Sequence, residues 1–207
     1  MSLFFSLHSD NPQPRQIAHA AQIIREGGLI AMPTDAAYVL CGHTGDAKLL
    51  DRIRQIRDVD ERHHFTLLCR DLSEIANYAR VDNAQYRLLK AATPGSYTFI
   101  LEGTKELPRR VLHPKRKTIG IRVPDHPVVR ALLAELDEPL LSSTLLLPDN
   151  DFPLTDPEEI RDHLDHALDL IIEAGHCGAE VTTVVNLVDG SPELVRTGKG
   201  DPALLGL

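Results

Sequence analysis

The chain of 207 residues has a formal net charge of −8, and 43% of its residues are hydrophobic and 25% charged. This composition is typical of a globular protein and excludes a disordered chain. The acidic balance argues against a surface coated with positive charge for non-specific nucleic-acid binding, although it allows a local basic groove. The length fits a single domain over residues 1–207, and no linker or internal repeat divides it.

The cysteines and the chain start predict a cytoplasmic protein. Cys41, Cys69 and Cys177 are odd in number and widely spaced, and none forms a C-x-x-C pair. Cys41 and Cys69 follow apolar pairs, as buried free thiols do. No apolar run approaches the ~18 residues of a membrane span, and the N-terminus lacks the basic start of a signal peptide, so no membrane partner is expected.

Hydrophobic periodicity predicts helices and strands that interleave along the chain. Helices are predicted over 15–25, 46–56, 71–78, 83–91, 127–136 and 157–166. Strands are predicted over 3–7, 29–32, 65–69, 97–101, 118–123, 140–147, 168–172, 182–188 and 193–197. The turn signal Asp189-Gly190 predicts a hairpin of the last two strands. Some connections are too short for parallel crossovers, so we expect an α/β fold with a mixed parallel and antiparallel sheet.

The stretch from Leu29 to Tyr38 is the first candidate for a functional site. Its apolar run stops at Pro33, and the hydroxyl of Thr34 and the carboxylate of Asp35 follow. Open α/β sheets place their ligand crevices at such strand ends. The alternative is an ordinary turn in which Thr34 and Asp35 cap the next segment.

Further groups that bind anions recur in loops at predicted strand ends. They are Arg54, Arg57, Arg62, His63 and His64; Lys115, Arg116, Lys117 and Arg122; Ser142, Ser143 and Thr144; Thr182 and Thr183; and Arg196. Arginine pairs bidentately with phosphate oxygens, and hydroxyls and backbone amides fill the remaining lone pairs. If these groups converge, they can hold ATP without a P-loop. Surface arginines and strand-end threonines are, however, also common without such a site.

Other motifs are weak. Gly198-Lys199-Gly200 with Ala203 fits G-x-G-x-x-A, but at the end of the chain we expect only a flexible turn. His163 and His166 are three residues apart on a predicted helix, where two solvated histidines are expected rather than a metal site. No set of metal ligands is predicted.

Five landmarks in order make the chain similar to a known family. They are Pro33-Thr34-Asp35 with Tyr38 and Leu40, Pro94-Gly95 with Thr98, Gly120-Ile121-Arg122-Val123-Pro124, Pro139-Leu140, and Thr182-Thr183-Val184-Val185. Over nearly the whole chain they resemble the YrdC-like domain family (Sua/YciO/YrdC), and above all its YciO branch. The resemblance implies a twisted mixed sheet with packed helices, the YrdC/RibB-like fold, with a large concave surface and a cytoplasmic location.

The resemblance also implies an activity. Catalytic members make threonylcarbamoyl-AMP from L-threonine, bicarbonate and ATP, with Mg²⁺ accompanying the nucleotide, and the product serves a tRNA modification. We therefore expect an ATP-binding nucleotidyltransferase of weak or altered activity, with L-threonine or a related amino acid as its second substrate. Because the family fold is also described as binding RNA, the alternative is a non-catalytic protein that binds tRNA or double-stranded RNA.

Position by position, the resemblance assigns roles to individual residues. Thr34 would lie beside the amino acid, Arg57 at the phosphates, and Arg122 facing the cavity, so these three are the catalytic candidates. The nucleotide-binding candidates are Arg54, Ser143, Thr144, Thr182 and Arg196. The RNA-binding alternative would use the basic segment Lys115, Arg116 and Lys117.

The departures from the family pattern fall on the phosphate side. Catalytic members carry K-x-R and then K-P where this chain has Arg57-Asp58-Val59 and then His63-His64. They carry S-A-N where it has Thr144-Leu145-Leu146. Each lost contact to a charged phosphate costs on the order of 1.5–3 kcal/mol. If His63 or His64 turns into the cavity as a replacement cation, activity should rise as the pH falls through its pKa.

Overall fold

One ten-stranded sheet with six α-helices forms the framework of the protein, whose computed structural model describes all 207 residues. The strands are β1 (Leu3–Ser6), β2 (Ile30–Met32), β3 (Val39–His43), β4 (Thr66–Leu68), β5 (Tyr97–Glu102), β6 (Thr118–Arg122), β7 (Leu140–Thr144), β8 (Leu170–Glu173), β9 (Thr183–Asn186) and β10 (Glu193–Arg196). The helices are α1 (Pro14–Arg25), α2 (Ala47–Arg57), α3 (Leu72–Tyr78), α4 (Asn83–Ala92), α5 (Pro127–Leu136) and α6 (Pro157–Leu164). Two 3-10 helical turns cover Arg109–Val111 and Pro202–Leu205.

The predicted mixed α/β architecture is confirmed by the strand order β1-β8-β2-β3-β7-β4-β6-β5-β9-β10. The pairs β1–β8, β2–β8, β4–β6 and β5–β9 are parallel, and the remaining neighbours are antiparallel. The predicted hairpin of the last two strands is also confirmed, with Glu193 opposite Asn186.

The strand β3 is not among the strands that the hydrophobic pattern predicts. It lies inside the sheet, antiparallel to β2 on one side and to β7 on the other. Its first four residues are all buried, so the alternation of a half-buried strand is missing. At Gly42 a Cβ would lie 2.6 Å from the Cδ1 atom of Leu49 on α2. Glycine therefore weakens the strand signal but allows the helix to pack closely on the sheet.

Several element boundaries differ from the predicted ones. The predicted strand 140–147 ends at Thr144, because its partner β3 begins at the opposite residue, Val39. The predicted helix 157–166 ends at Leu164. None of the helices combines the length and the apolar character needed to cross a bilayer.

Alternate residues of the strands belong to two hydrophobic clusters. In β4, Leu67 belongs to a cluster of 34 buried residues and Leu68 to a separate cluster of 19, as the two-residue period of a strand requires. The smaller cluster includes residues of α1 and α5, such as Ile24 and Val129. These two helices therefore cover part of one face of the sheet, and the site described below lies on that face.

Candidate functional site

A cavity of about 450 Å³ opens on the sheet face that carries α1 and α5. Its floor consists of alternate residues of four neighbouring strands: Ser142 and Thr144 of β7, Thr66 and Leu68 of β4, Gly120 and Arg122 of β6, and Thr98 and Ile100 of β5. Side chains two residues apart point to the same face. The floor of the cavity therefore combines small and polar side chains with the apolar side chains of Leu68 and Ile100.

Gly120 makes room at the centre of this floor. A Cβ at this position would lie 2.8 Å from the Thr66 Oγ1 atom and 3.1 Å from the Thr98 Cγ2 atom. Both neighbours line the cavity. The glycine in the Gly120-Ile121-Arg122 landmark thus has a packing role in the floor.

Arg57 and Arg196 bring positive charge to the cavity without a counter-ion. Arg57, the last residue of α2, donates from Nη1 to the Ser143 Oγ atom at 2.7 Å, and its buried Nε has no partner. Arg196 of β10 donates from Nη2 to the Thr182 carbonyl at 2.9 Å. Burial lowers the pKa of both guanidinium groups, and Arg196 lowers that of Arg57 further. No aspartate or glutamate lines the cavity. Arg57 is half-buried and Arg196 is exposed. Two arginines that face one cavity without an acidic residue are suited to bind an anion.

Arg122, by contrast, is already paired. Its side chain is 4% exposed and forms an ion pair with Asp35, whose other carboxylate oxygen accepts a hydrogen bond from the Ser96 hydroxyl at 2.9 Å. Burial lowers the pKa of Arg122, while Asp35 raises it. The Asp35 side of the site is therefore electrically balanced.

Thr34 organises the loop between β2 and β3. Its hydroxyl donates to the Ala37 carbonyl at 2.7 Å and accepts from the Ala36 and Ala37 N–H groups at 3.1 and 3.2 Å. The Nη2 of Arg122 reaches the same oxygen at 3.3 Å. Since a hydroxyl has one hydrogen, Thr34 has none left to donate to a ligand. The turn predicted as the alternative for this stretch is thus present, and it supports Arg122.

The side chain of His63 points into the cavity, which is one of the possibilities that the sequence analysis considers for His63 and His64. Its Nε2 lies 2.9 Å from the Ser143 Oγ atom, and its ring packs edge-on against Phe65. Burial, followed by Arg57 and the other nearby cations, lowers the pKa of His63 to about 4. The imidazole is therefore uncharged at neutral pH and does not replace a cation in the free protein.

His64 also lines the cavity and connects it to the basic segment. Its Nε2 lies 3.2 Å from the Thr118 Oγ1 atom, and its ring stacks on His113 with centroids 4.7 Å apart. Burial lowers the pKa of His64, and His113 and Arg116 lower it further. Lys115, Arg116 and Lys117 follow His113 in an exposed turn outside the cavity.

The structure brings together most of the residues that the sequence analysis selects. Those that line the cavity are Arg57, Arg122, Ser143, Thr144, Thr182 and Arg196, with Leu146 at the apolar part of the wall. Thr34 lies behind Arg122. Arg54 does not line the cavity, because its guanidinium lies over the Phe65 ring, 5.6 Å from the centroid, and pairs with Asp51.

The sequence analysis missed the apolar part of the wall. Val39, Val184 and Val195 line the cavity together with Leu68 and Ile100. Their residue types carry no functional signal. Only the alternation within the strands, once they are paired, assigns these side chains to the cavity face.

The segment Gly198-Lys199-Gly200 is held in place rather than free. The Gly198 N–H donates to the Thr183 Oγ1 atom at 2.9 Å, and that hydroxyl donates to the Gly200 carbonyl. Lys199 donates to the Asp35 carbonyl. The expected flexible turn is therefore wrong, because the C-terminal segment fastens the Asp35 loop to β9.

The lining residues do not fit a Mg²⁺ ion held by the protein. Magnesium in nucleotide sites is bound by one or two carboxylates together with phosphates, and no carboxylate lines the cavity. No group of three or more histidine, cysteine, aspartate or glutamate residues is positioned to hold a metal elsewhere. The prediction of Mg²⁺ with ATP therefore depends on ligands that the nucleotide itself would bring.

A second groove, of about 880 Å³, lies between the N-terminus, α2 and α6. Its volume is larger, and its charges are mixed, with Arg52 and Arg161 beside Asp162 and Asp165. It contains none of the predicted site residues. The cavity on the sheet is therefore the better candidate for a binding site.

Comparison with known proteins identifies the family of the chain. The family model Sua5_yciO_yrdC, described as telomere recombination, matches residues 22–198. The chain is 53% identical to YciO of Escherichia coli (strain K12) over 201 residues, which are 97% of this chain and 98% of that protein. The crystal structure of E. coli YciO superimposes with a TM-score of 0.96 over 99% of this chain and 100% of the other.

Two more distant relatives have a named activity or a bound ligand. The threonylcarbamoyl-AMP synthase of Bacillus subtilis (strain 168) is 29% identical over 188 residues, covering 88% of this chain and 53% of that enzyme. P. abyssi Sua5 in complex with L-threonine has the same fold, with a TM-score of 0.87 at 22% identity, covering 95% of this chain and 58% of that one. The expected likeness to the YciO branch is confirmed, and the chain belongs to the Sua5/YciO/YrdC family.

Proposed function

We propose that the cavity binds ATP and that the protein is a weak nucleotidyltransferase of the threonylcarbamoyl-AMP synthase type. The observation that carries this proposal is the pair Arg57 and Arg196, a half-buried and an exposed arginine whose guanidinium groups share one cavity with no carboxylate. A polyphosphate supplies the missing negative charge and matches the planar donors of arginine.

The polar residues around the two arginines complete a phosphate site. Ser143, Thr144 and Thr182 place hydroxyl groups in the same cavity, and hydroxyls bind the phosphate oxygens that arginine leaves free. The apolar wall with Leu146 and Val195 is available to the base or to the amino-acid side chain. The volume of about 450 Å³ lies within the usual range of small-ligand pockets.

In this proposal the protein acts by positioning and by electrostatics. The amino-acid carbamate is held against the α-phosphate, which can supply at most roughly 7–11 kcal/mol of the barrier. Arg57 and Arg196 stabilise the charge that develops on the departing pyrophosphate. Arg122, fixed by Asp35, faces the amino-acid side.

The relatives support an amino acid as the second substrate, because a synthase and a complex with L-threonine are found among them. The phosphate side argues for low activity. Leu146 offers no hydrogen bond where catalytic members have an amide, and His63 is uncharged in the free protein. We also propose a cytoplasmic location, which the three free, buried cysteines support.

The test is an assay with ATP, bicarbonate and labelled amino acids, starting with L-threonine. We expect pyrophosphate and a carbamoyl-adenylate at a low rate, and saturable ATP binding by calorimetry. The double variant Arg57→Gln/Arg196→Gln should lose both. Absence of pyrophosphate with every amino acid, together with absence of ATP binding, would contradict the proposal.

A second candidate function is RNA binding by the basic turn. Lys115, Arg116 and Lys117 are exposed, and His113 beside them stacks on His64 of the cavity wall. The net charge of −8 restricts this function to the turn itself.

A further inference from the structure

Three side chains from separate elements meet at one hydroxyl. Ser143 Oγ accepts a hydrogen bond from Arg57 Nη1 at 2.7 Å and lies 2.9 Å from His63 Nε2. Ser143 is 5% exposed, and all three residues line the cavity. The edge-on contact with Phe65, 5.2 Å between centroids, fixes the orientation of the His63 ring. The hydroxyl therefore has two fixed neighbours before any ligand enters.

The hydrogen on His63 Nε2 decides where the Ser143 hydrogen points. In a neutral imidazole only one of the two tautomers has a hydrogen on Nε2, whereas the imidazolium always has one. A hydroxyl has one hydrogen and two acceptor lone pairs, and Arg57 occupies one lone pair. When Nε2 carries no hydrogen, it accepts the hydroxyl hydrogen, and Ser143 has nothing to donate to a ligand. When Nε2 carries a hydrogen, it fills the second lone pair, and the hydroxyl hydrogen is free to turn into the cavity.

We infer that a phosphate-bearing ligand binds this cavity together with a proton, which His63 takes up, so that Arg57 and the imidazolium jointly direct the Ser143 hydroxyl at the phosphate. The inference rests on the proposed function for the identity of ATP, but it requires only a polyphosphate. It assigns His63 as a residue that makes the cavity selective for anions of high charge.

The charges around His63 explain why the proton arrives only with the ligand. Arg54 and Arg57 approach from α2, His64 is its chain neighbour, and Asp60 on the same loop is the opposing acid. Arg196 acts on Arg57 from β10. In the free protein, burial and these cations lower the pKa of His63 to about 4. A polyphosphate beside Arg57 and Arg196 reverses the sign of the local field and raises the His63 pKa again.

The experiment is calorimetric titration of the full chain at pH 6.5 with inorganic tripolyphosphate and, separately, with ATP. Each titration is repeated in buffers of different ionisation enthalpy. The slope of the observed binding enthalpy against the buffer's ionisation enthalpy gives the number of protons taken up on binding. The ligand releases or binds its own protons equally in all variants. We expect wild type to take up more protons on binding than His63→Gln. Below the pKa of His63 in the complex, the affinity of wild type should rise by up to about tenfold for each unit by which the pH is lowered.

The matched control is His163→Gln, since His163 lies on α6 in the second groove and not in the cavity. It should keep the proton uptake that His63→Gln loses. Equal uptake by wild type and His63→Gln, with binding intact, would overturn this inference and leave the proposed function standing. Failure of both tripolyphosphate and ATP to bind wild type would overturn both.

Discussion

Arg122 and Arg57 stand in one cavity and differ in how their charge is compensated. Arg122 is 4% exposed and paired with Asp35, which is itself held by Ser96. Arg57 has no acidic partner and donates only to Ser143 among side chains. In the folded protein the charge of Arg122 is therefore neutralised by Asp35, whereas the charge of Arg57 is not neutralised by any acidic residue. A charge that the fold compensates contributes to stability, and one that it leaves open is available to a ligand.

The largest expected effect is on stability at the compensated side. Asp35→Asn leaves Arg122 buried without a counter-charge, which costs about 3–5 kcal/mol of the free energy of unfolding when a buried pair is broken. Urea denaturation of wild type and Asp35→Asn measures this loss of stability. The control is Asp51→Asn, because Asp51 pairs with Arg54 at 3.5 Å but its side chain is 80% exposed, so a change below about 1 kcal/mol is expected. A similarly small effect of Asp35→Asn would remove the proposed difference between the two sides.

The next effect is the pH dependence of stability at the open side. The pKa of His63 is lowered from 6.5 to about 4, so the unfolded chain binds a proton that the folded chain does not. The free energy of unfolding should therefore fall as the pH falls from 7 to 4, by at most about 3 kcal/mol from this residue. His63→Gln should lack that part of the fall. Parallel curves of urea-derived stability for the two proteins would show that His63 is not buried as described.

At Arg57 we expect a larger effect on ATP affinity than on stability, the opposite of what we expect at Asp35. Arg57→Gln should lower ATP affinity by about ten- to a hundredfold, since a hydrogen bond to a charged group contributes roughly 1.5–3 kcal/mol. It should leave the free energy of unfolding unchanged or raise it, because a half-buried charge without an acidic partner is removed. Calorimetry and denaturation measure the two quantities. Arg62→Gln, at an exposed position near Asp60, should change neither. Intact ATP affinity in Arg57→Gln would contradict the open site.

The smallest expected effect concerns the basic turn. Replacing Lys115, Arg116 and Lys117 together with alanine should weaken RNA binding equally for all RNA sequences. The slope of log affinity against log salt concentration should become shallower by the equivalent of up to about three phosphate contacts. ATP binding should not change, since the turn lies outside the cavity. Arg87→Ala/Lys90→Ala on α4 is the control for loss of charge. RNA affinity that the triple variant leaves intact would rule out this turn as the binding surface.

The sequence by itself was sufficient for the fold class and for most of the chemistry at the cavity. Runs of apolar residues with interleaved helical periodicity predict a mixed α/β sheet, because burial on a sheet and on a helix requires different spacings. Arg57, Ser143 and Arg196 are selected from the sequence because their functional groups suit the proposed phosphate site, and the structure brings them to one cavity. The Gly120-Ile121-Arg122 landmark likewise belongs to the cavity floor.

Only the tertiary structure shows which of the arginines are paired with an acidic residue and which are available to a ligand. Asp35 and Arg122 are 87 residues apart in the chain, and no local pattern shows that they form an ion pair. Arg54 and Arg57 share one helix, yet Arg54 lies over Phe65 and only Arg57 reaches the cavity. His63 is uncharged because it is buried among cations. Charge compensation and pKa depend on distances of a few ångströms in space, and the chain sets those distances only when β3, β6 and β7 are brought together in one sheet.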